Sequence, residues 1–150
     1  MLKIISILTV AACLTSQIAV AETGIIAVKS KHDVTVTTDN LSAILKSKGM
    51  TVFSRIDHAA GAAKIGESIP PTQLLVFGNP KIGTKLMQCS PSAAIDLPMK
   101  ALIWQDDKQQ TWIGYNSPKY LASRHAIKGC DPVLNKVEQA LANFANKAAN

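Results

Sequence analysis

The first polar-to-apolar alternation after the N-terminal region is GIIAVKS (24–30), a short β-branched run that predicts a strand. Asp33 then stands where a helix cap belongs. Val34, Thr37, Thr38, Leu41, Ile44, Leu45 and Lys48 follow at helical spacing until Gly49. The β-branched residues from Val34 to Thr38 leave the start of that helix open by a turn. TVFSRIDH (51–58) alternates as a half-buried strand does, with Val52, Ile56 and His58 on one side and Phe53, Arg55 and Asp57 on the other. TQLLVFGN (72–79) and PMKALIWQ (98–105) carry unbroken apolar runs instead, as strands covered on both faces do. Pro98 belongs at a strand start or a bulge. PKIGTKLMQC (80–89) opens on proline and predicts a short helix interrupted at Gly83, while DDKQQ (106–110) is a glycine-free hairpin loop leading into TWIGYN (111–116). The clearest helix is the last. Asp131 caps it, Pro132 suits its first position, and Leu134, Val137, Leu141, Phe144 and Ala148 form one apolar stripe able to dock on a sheet. Early helices and a late strand hairpin predict an α+β domain with a mixed sheet, helices packed against it and an amphipathic C-terminal helix.

Composition fits one such domain. The chain has 150 residues, 47% hydrophobic and 17% charged, which supplies one core and is too short for two ordinary domains. The N-terminus reads MLKIISILTVAACLTSQIAVAETG, with Lys3, an apolar run to about Leu14, and then Ala19-Val20-Ala21. That pattern predicts a signal peptide over residues 1–21 and a domain over 22–150, periplasmic or secreted. Two alternatives stay open. Val10-Ala11-Ala12-Cys13 resembles a lipobox, which would anchor a lipoprotein through Cys13, and an uncleaved anchor would need a longer apolar run than Thr15, Ser16 and Gln17 allow.

Export changes the meaning of charge and cysteine. Loss of Lys3 lowers the formal net charge from +6 to +5, and the remaining basic residues form no run, which argues against a nucleic-acid partner. A solvated basic surface with affinity for anionic lipid or cell-wall polymer fits better. Cys89 and Cys130 are the two cysteines left, and an oxidising compartment would join them. The alternative is a metal or redox site. No C-x-x-C or paired-histidine spacing supports it, although Met87 and Cys89 place two soft sulfur ligands close together.

The nearest approach to a catalytic motif is GAAKIGES (61–68), close to a phosphate loop except that Glu67 stands where the lysine belongs. A carboxylate there repels phosphate, so the small residues Ala59 to Ala63 read as a helix start packed closely against the sheet. Asp57-His58 resembles an acid/base pair, but neighbours on a strand point to opposite faces. His58 then bonds a turn, or shares a pocket with Glu67, while Asp57 pairs with Arg55. His32 and His125 flank helix ends and read as surface residues. Trp104 and Trp112 predict a cross-strand aromatic pair. No nucleophile elbow, zinc helix or cofactor fingerprint occurs.

GMTVFSRIDHAAGA, PTQLLVFGNPKIGTKLMQ, AIDLPMKALIWQD and SPKYLASRH, taken in order, resemble the domain of unknown function 302 family. The resemblance spans roughly Gly24 to Arg124. It implies a compact α+β domain of the kind that associates as a homodimer, and it names no substrate. It also points to Asp57, His58, Glu67, Asn79 and Asp96, around the strand ends and the Phe77-Gly78-Asn79-Pro80 turn, as a pocket.

These readings converge on a module that binds a small ligand or a periplasmic protein, with no cofactor implied. A metal- or cofactor-linked protein using His58, Met87 or Cys89 is one alternative. A hydrolase or isomerase using Glu67 or Asp57 as its base is another, and it requires a raised carboxylate pKa.

Overall fold

The computed structural model describes residues 24–150, so the expected leader and Cys13 lie outside the described residues. Five strands, β1 (Ile25–Lys29), β2 (Thr51–Asp57), β3 (Thr72–Gly78), β4 (Met99–Gln105) and β5 (Thr111–Asn116), form one sheet in the order β1-β5-β4-β3-β2. Every pairing is antiparallel, where a mixed sheet is the sequence expectation. Strands β3, β4 and β5 each turn back beside their predecessor, and β1 adds antiparallel to β5 at the edge opposite β2, so no pair is parallel.

Six helical segments accompany the sheet: α1 (Val34–Ser47), α2 (His58–Ala63), α3 (Pro80–Cys89), a 3-10 turn (Pro91–Ile95), α4 (Pro118–Arg124) and α5 (Asp131–Ala149). Asp33 caps α1 as its spacing predicts, accepting a hydrogen bond from the Val36 N–H at 2.8 Å. Gly49, at φ +70°, takes the left-handed turn that ends it. Asp131 is the first residue of α5, and Cys130 holds the cap position. Helix α3 runs through Gly83 without a break. The loop between β4 and β5 lacks glycine, and Gln109 takes the positive φ of 61° there. Asp106 holds that loop by accepting from the Lys108 and Gln110 N–H groups and from Trp112 Nε1.

Alternation along the strands sorts the sheet into two faces. Leu75, Phe77, Met99, Ala101, Ile103, Ile113 and Tyr115 point to one face and are buried. There they meet Val34, Leu41 and Leu45 of α1 and Leu141, Phe144, Ala145 and Ala148 of α5 in one core. The intervening residues Leu74, Val76, Leu102, Trp104 and Trp112 occupy the other face and are only half-buried. The unbroken apolar runs predict strands covered on both sides, but α1 and α5 both pack against the first face. Trp104 and Trp112 are register partners and stack with centroids 6.4 Å apart.

One bulge corrects the reading of β2. The register shifts between Val52 and Ser54, so the expected alternation fails at Phe53. Val52 pairs with Phe77 and packs on the core, while Arg55 and Asp57 come to the same face rather than the opposite one.

Candidate functional site

The bulge also turns Phe53 toward the end of the sheet where an apolar concavity lies. A groove of about 530 Å³ runs between the C-terminal end of β3, the start of β4, α3 and the middle of α5. Its floor is Phe77 and Met99. Phe53 and Met50 form one wall, Leu97 and Ile82 another, and Val137, Leu141 and Phe144 of α5 a third. The groove exists because α3 and α5 diverge. Cys89 at the end of α3 and Cys130 before α5 are joined in a disulfide, which pins the two helices at one end. Leu86, Cys130 and Leu134 make a small separate core beside that pin. Beyond it the helices separate, and the apolar stripe of α5 is left partly facing open space.

Polar groups are few along this surface. Lys48, Asn79, Thr84 and Lys136 are the hydrophilic side chains that line it, and no carboxylate does. Asn79 caps α3 by accepting from the Lys81 N–H at 2.9 Å, and its amide reaches the Gly49 carbonyl at 3.4 Å. It thereby ties the Phe77-Gly78-Asn79-Pro80 turn to the end of α1. A second, shallower and more polar depression lies at the other end of the molecule, around Lys31, Asp33 and Gln110.

The five residues singled out from the sequence fall in different places. Asn79 lines the groove. Asp57 and His58 sit at the start of α2, where Asp57 is the cap and accepts from the Ala60 N–H at 2.8 Å. Gln73 Nε2 also donates to Asp57, and Arg55 bonds Gln73 and Asp39 rather than Asp57 directly. The Ala60 N–H bond is the main reason the Asp57 carboxyl titrates below its ordinary value. The hydrolase reading requires the opposite shift. Glu67 lies in the exposed turn after α2, its N–H donating to the Ala62 carbonyl. The GAAKIGES stretch is thus the end of a short helix and its exit turn, and no phosphate cradle.

Asp96 belongs to a separate cluster. Its Oδ2 accepts from His125 Nε2 at 2.6 Å, with Arg124 Nε at 3.5 Å. In the neutral imidazole, His125 Nδ1 is then left to accept from the Ser92 hydroxyl at 3.1 Å. His125 is therefore buried, its side chain 5% exposed, against the expectation of a surface residue. It follows α4, an element the sequence reading did not assign, and α4 carries it under the 3-10 turn. The order hydroxyl, imidazole, carboxylate matches a nucleophile relay, but neither Ser92 nor His125 lines the groove. Ser90, hydrogen-bonded to the His125 carbonyl, completes a lock between two loops. Cys89 spends its sulfur in the disulfide, which removes it as a thiolate ligand.

The groove was hidden in the sequence because its walls come from four distant segments. The signals that touch it are the FGNP turn and the stripe of α5, which reads as a docking face.

A single antiparallel sheet with five helices and an apolar groove at one end defines a small α+β domain. The family model described as domain of unknown function DUF302 matches residues 26–144, and the chain belongs to that family. Over 109 residues it is 43% identical to the fluoride-specific ion channel FluC 1 of Brucella suis biovar 1, a match covering 73% of this chain and 43% of that protein. It is equally similar to FluC 2 of Brucella melitensis biotype 1, of which it covers 40%. The chain thus spans less than half the length of these curated relatives. The crystal structure of an uncharacterised conserved DUF302 protein from Bacillus stearothermophilus has the same fold, with a TM-score of 0.75 at 19% identity, over 83% of this chain and 98% of that one.

Proposed function

We propose that the protein is an exported binding module whose site is the groove between α3, α5 and the ends of β3 and β4. The observation that carries this reading is the groove itself. At about 530 Å³ it falls within the usual range for small-ligand sites, and its lining is mostly apolar with a few polar groups at the rim. Export rests on the leader pattern and agrees with the disulfide, since such bonds persist in oxidising compartments. No helix among the described residues is long and apolar enough to cross a membrane. That favours reading the stretch shared with the fluoride channels as an appended binding module rather than as a helical pore.

Filling the groove tests the site. Gly83 faces it, and a Cβ there meets only Leu97 Cδ1, at 4.0 Å. Gly83→Leu should abolish binding of the neutral fluorescent probe N-phenyl-1-naphthylamine while leaving the thermal unfolding cooperative. Wild-type protein that fails to bind the probe would sink the reading. The mass of the protein recovered from a cell envelope extract tests export: a chain starting at Glu22 supports a soluble exported form, a Cys13-lipidated chain shows export as an anchored lipoprotein instead, and an unprocessed chain overturns export.

The uncovered sheet face favours a homodimer as a second feature of the module. Five strands about 4.8 Å apart and about 20 Å long give a projected face of about 500 Å², so two copies would bury on the order of 1,000 Å², near the minimum for a specific interface. Ile56 and Ile25, 41% and 40% exposed, extend the apolar surface to both edges. Leu102→Glu should convert a dimer seen in sedimentation to a monomer, and a monomeric wild type would overturn this.

A further inference from the structure

We propose that the groove takes a single-chain amphiphile with an anionic head, the chain lying on Phe77 and Met99 and the head held between Lys48 and Lys136. The proposal rests on the groove being a binding site and adds the chemistry of its ligand. Three observations lead to it.

The first is the distribution of polarity. The lining is apolar along its length, and both of its charged side chains are cationic. Lys48 is the C-cap residue of α1, and Lys136 lies on α5 directly before the apolar wall residue Val137 and one turn before Ala140. The two cations therefore approach the groove from different elements. Both are exposed, and neither ammonium has a hydrogen-bond or ion-pair partner among the described residues. An apolar ligand alone would leave them idle, and a cationic one would be repelled.

The second is shape. The groove is open along one side rather than enclosed, and its lining comes from a strand turn, a bulge and two helices. An extended chain can lie in it with its head at the solvent edge, where lysine ammonium groups stay hydrated while their stems cover the ligand. The third is the adaptability of the walls. Met50, Met87 and Met99 all line it, and flexible thioethers fit an alkyl chain without a fixed complementary shape.

The head could be a carboxylate or a phosphate, since both are anions that lysine binds as a point charge. The test uses the full chain with N-phenyl-1-naphthylamine as reporter, displaced by dodecanoate, dodecyl phosphate, dodecanol or dodecylammonium, all kept monomeric. Both anions should displace the probe at about tenfold lower concentration than dodecanol, with the amine weakest, and added salt should shrink the gap. The better of the two anions identifies the head. Affinity should rise about three- to fourfold per added methylene until the groove is filled. In Lys48→Gln/Lys136→Gln the anions should fall to the level of the alcohol while dodecanol is unchanged.

Equal displacement by anion, alcohol and amine would overturn the proposal yet leave the groove as an apolar binding site. An anion preference that survives in the double variant would overturn the assignment to these lysines. No probe binding at all would overturn the binding site and the proposal together. The comparison of head groups on wild-type protein does not depend on any variant folding.

Discussion

Cys89 and Cys130 are bonded across 41 residues of sequence, joining the last residue of α3 to the residue that caps α5. This bond closes the chain around β4, β5 and α4, and it sets where the two helices part to open the groove. Closing a loop of that length stabilises the folded state by about 4 kcal/mol in the chain-entropy model. Cys89→Ser/Cys130→Ser should lose about 2–4 kcal/mol in urea unfolding, and dithiothreitol should lower the wild type to the same midpoint. A variant as stable as wild type would show that the bond constrains little.

The lock between Asp96 and His125 carries a second expectation. His125→Ala strips the buried end of the Asp96 carboxylate of its hydrogen bond and leaves a cavity beneath the 3-10 turn. A loss of about 2 kcal/mol is expected, with probe binding in the groove retained. If the same change abolished binding at full stability, the cluster would be part of the functional site.

Asp57 and Asp106 both titrate below the ordinary carboxyl value of 3.8. The leading cause for Asp57 is the Ala60 N–H, and for Asp106 it is the bond from Trp112 Nε1. Each folded pKa is depressed, so the stability it contributes is fully present above the unfolded value and is lost as pH falls through the folded one. Asp57→Asn/Asp106→Asn should therefore be less stable than wild type near neutrality, with the gap closing as the pH drops to about 2. Carboxyl chemical shifts followed by NMR would give the two values directly. Midpoints at or above 3.8 would contradict the hydrogen bonding described for the α2 cap and the β4–β5 loop.

The tryptophan pair depends on a missing side chain. A Cβ on Gly114 would sit 2.9 Å from a Trp104 ring carbon and 3.2 Å from Ile25 Cγ2. Gly114→Ala should displace Trp104, cost about 1–3 kcal/mol and shift the intrinsic fluorescence. An unchanged spectrum would mean that the rings do not stack over that glycine.

Local chemistry made part of this legible. Asp33 followed by a helical stripe gave α1, and Pro132 with Leu134 to Ala148 gave α5, because caps and periodicity act within a few residues. The pairing of Trp104 with Trp112 followed from alternation around a short loop. The same alternation misled at Phe53, since a bulge is fixed by what the neighbouring strand and the groove require. His125 looked exposed because polar side chains usually are, and only the long-range meeting of α4 with the 3-10 turn buries it. Of the residues proposed for a pocket, Asn79 reached the groove because the FGNP turn is part of its wall. Asp57, His58 and Glu67 lie around α2 and Asp96 lies beside His125, none of them lines the groove, and the apolar walls carried no chemical label.

The order of strands has a consequence for how the chain acquires its shape. Strands β2, β3 and β4 each pair with the strand next made, but β1 pairs with β5, joining Ile25 to Asn116. The ladder that begins the sequence must therefore close last or nearly so, against the largest loop entropy in the sheet. Until β5 has been synthesised, the first strand of the domain has no neighbour to hold it. The segment Ile25–Lys29 thus stays without its sheet partner for most of the time the ribosome is at work.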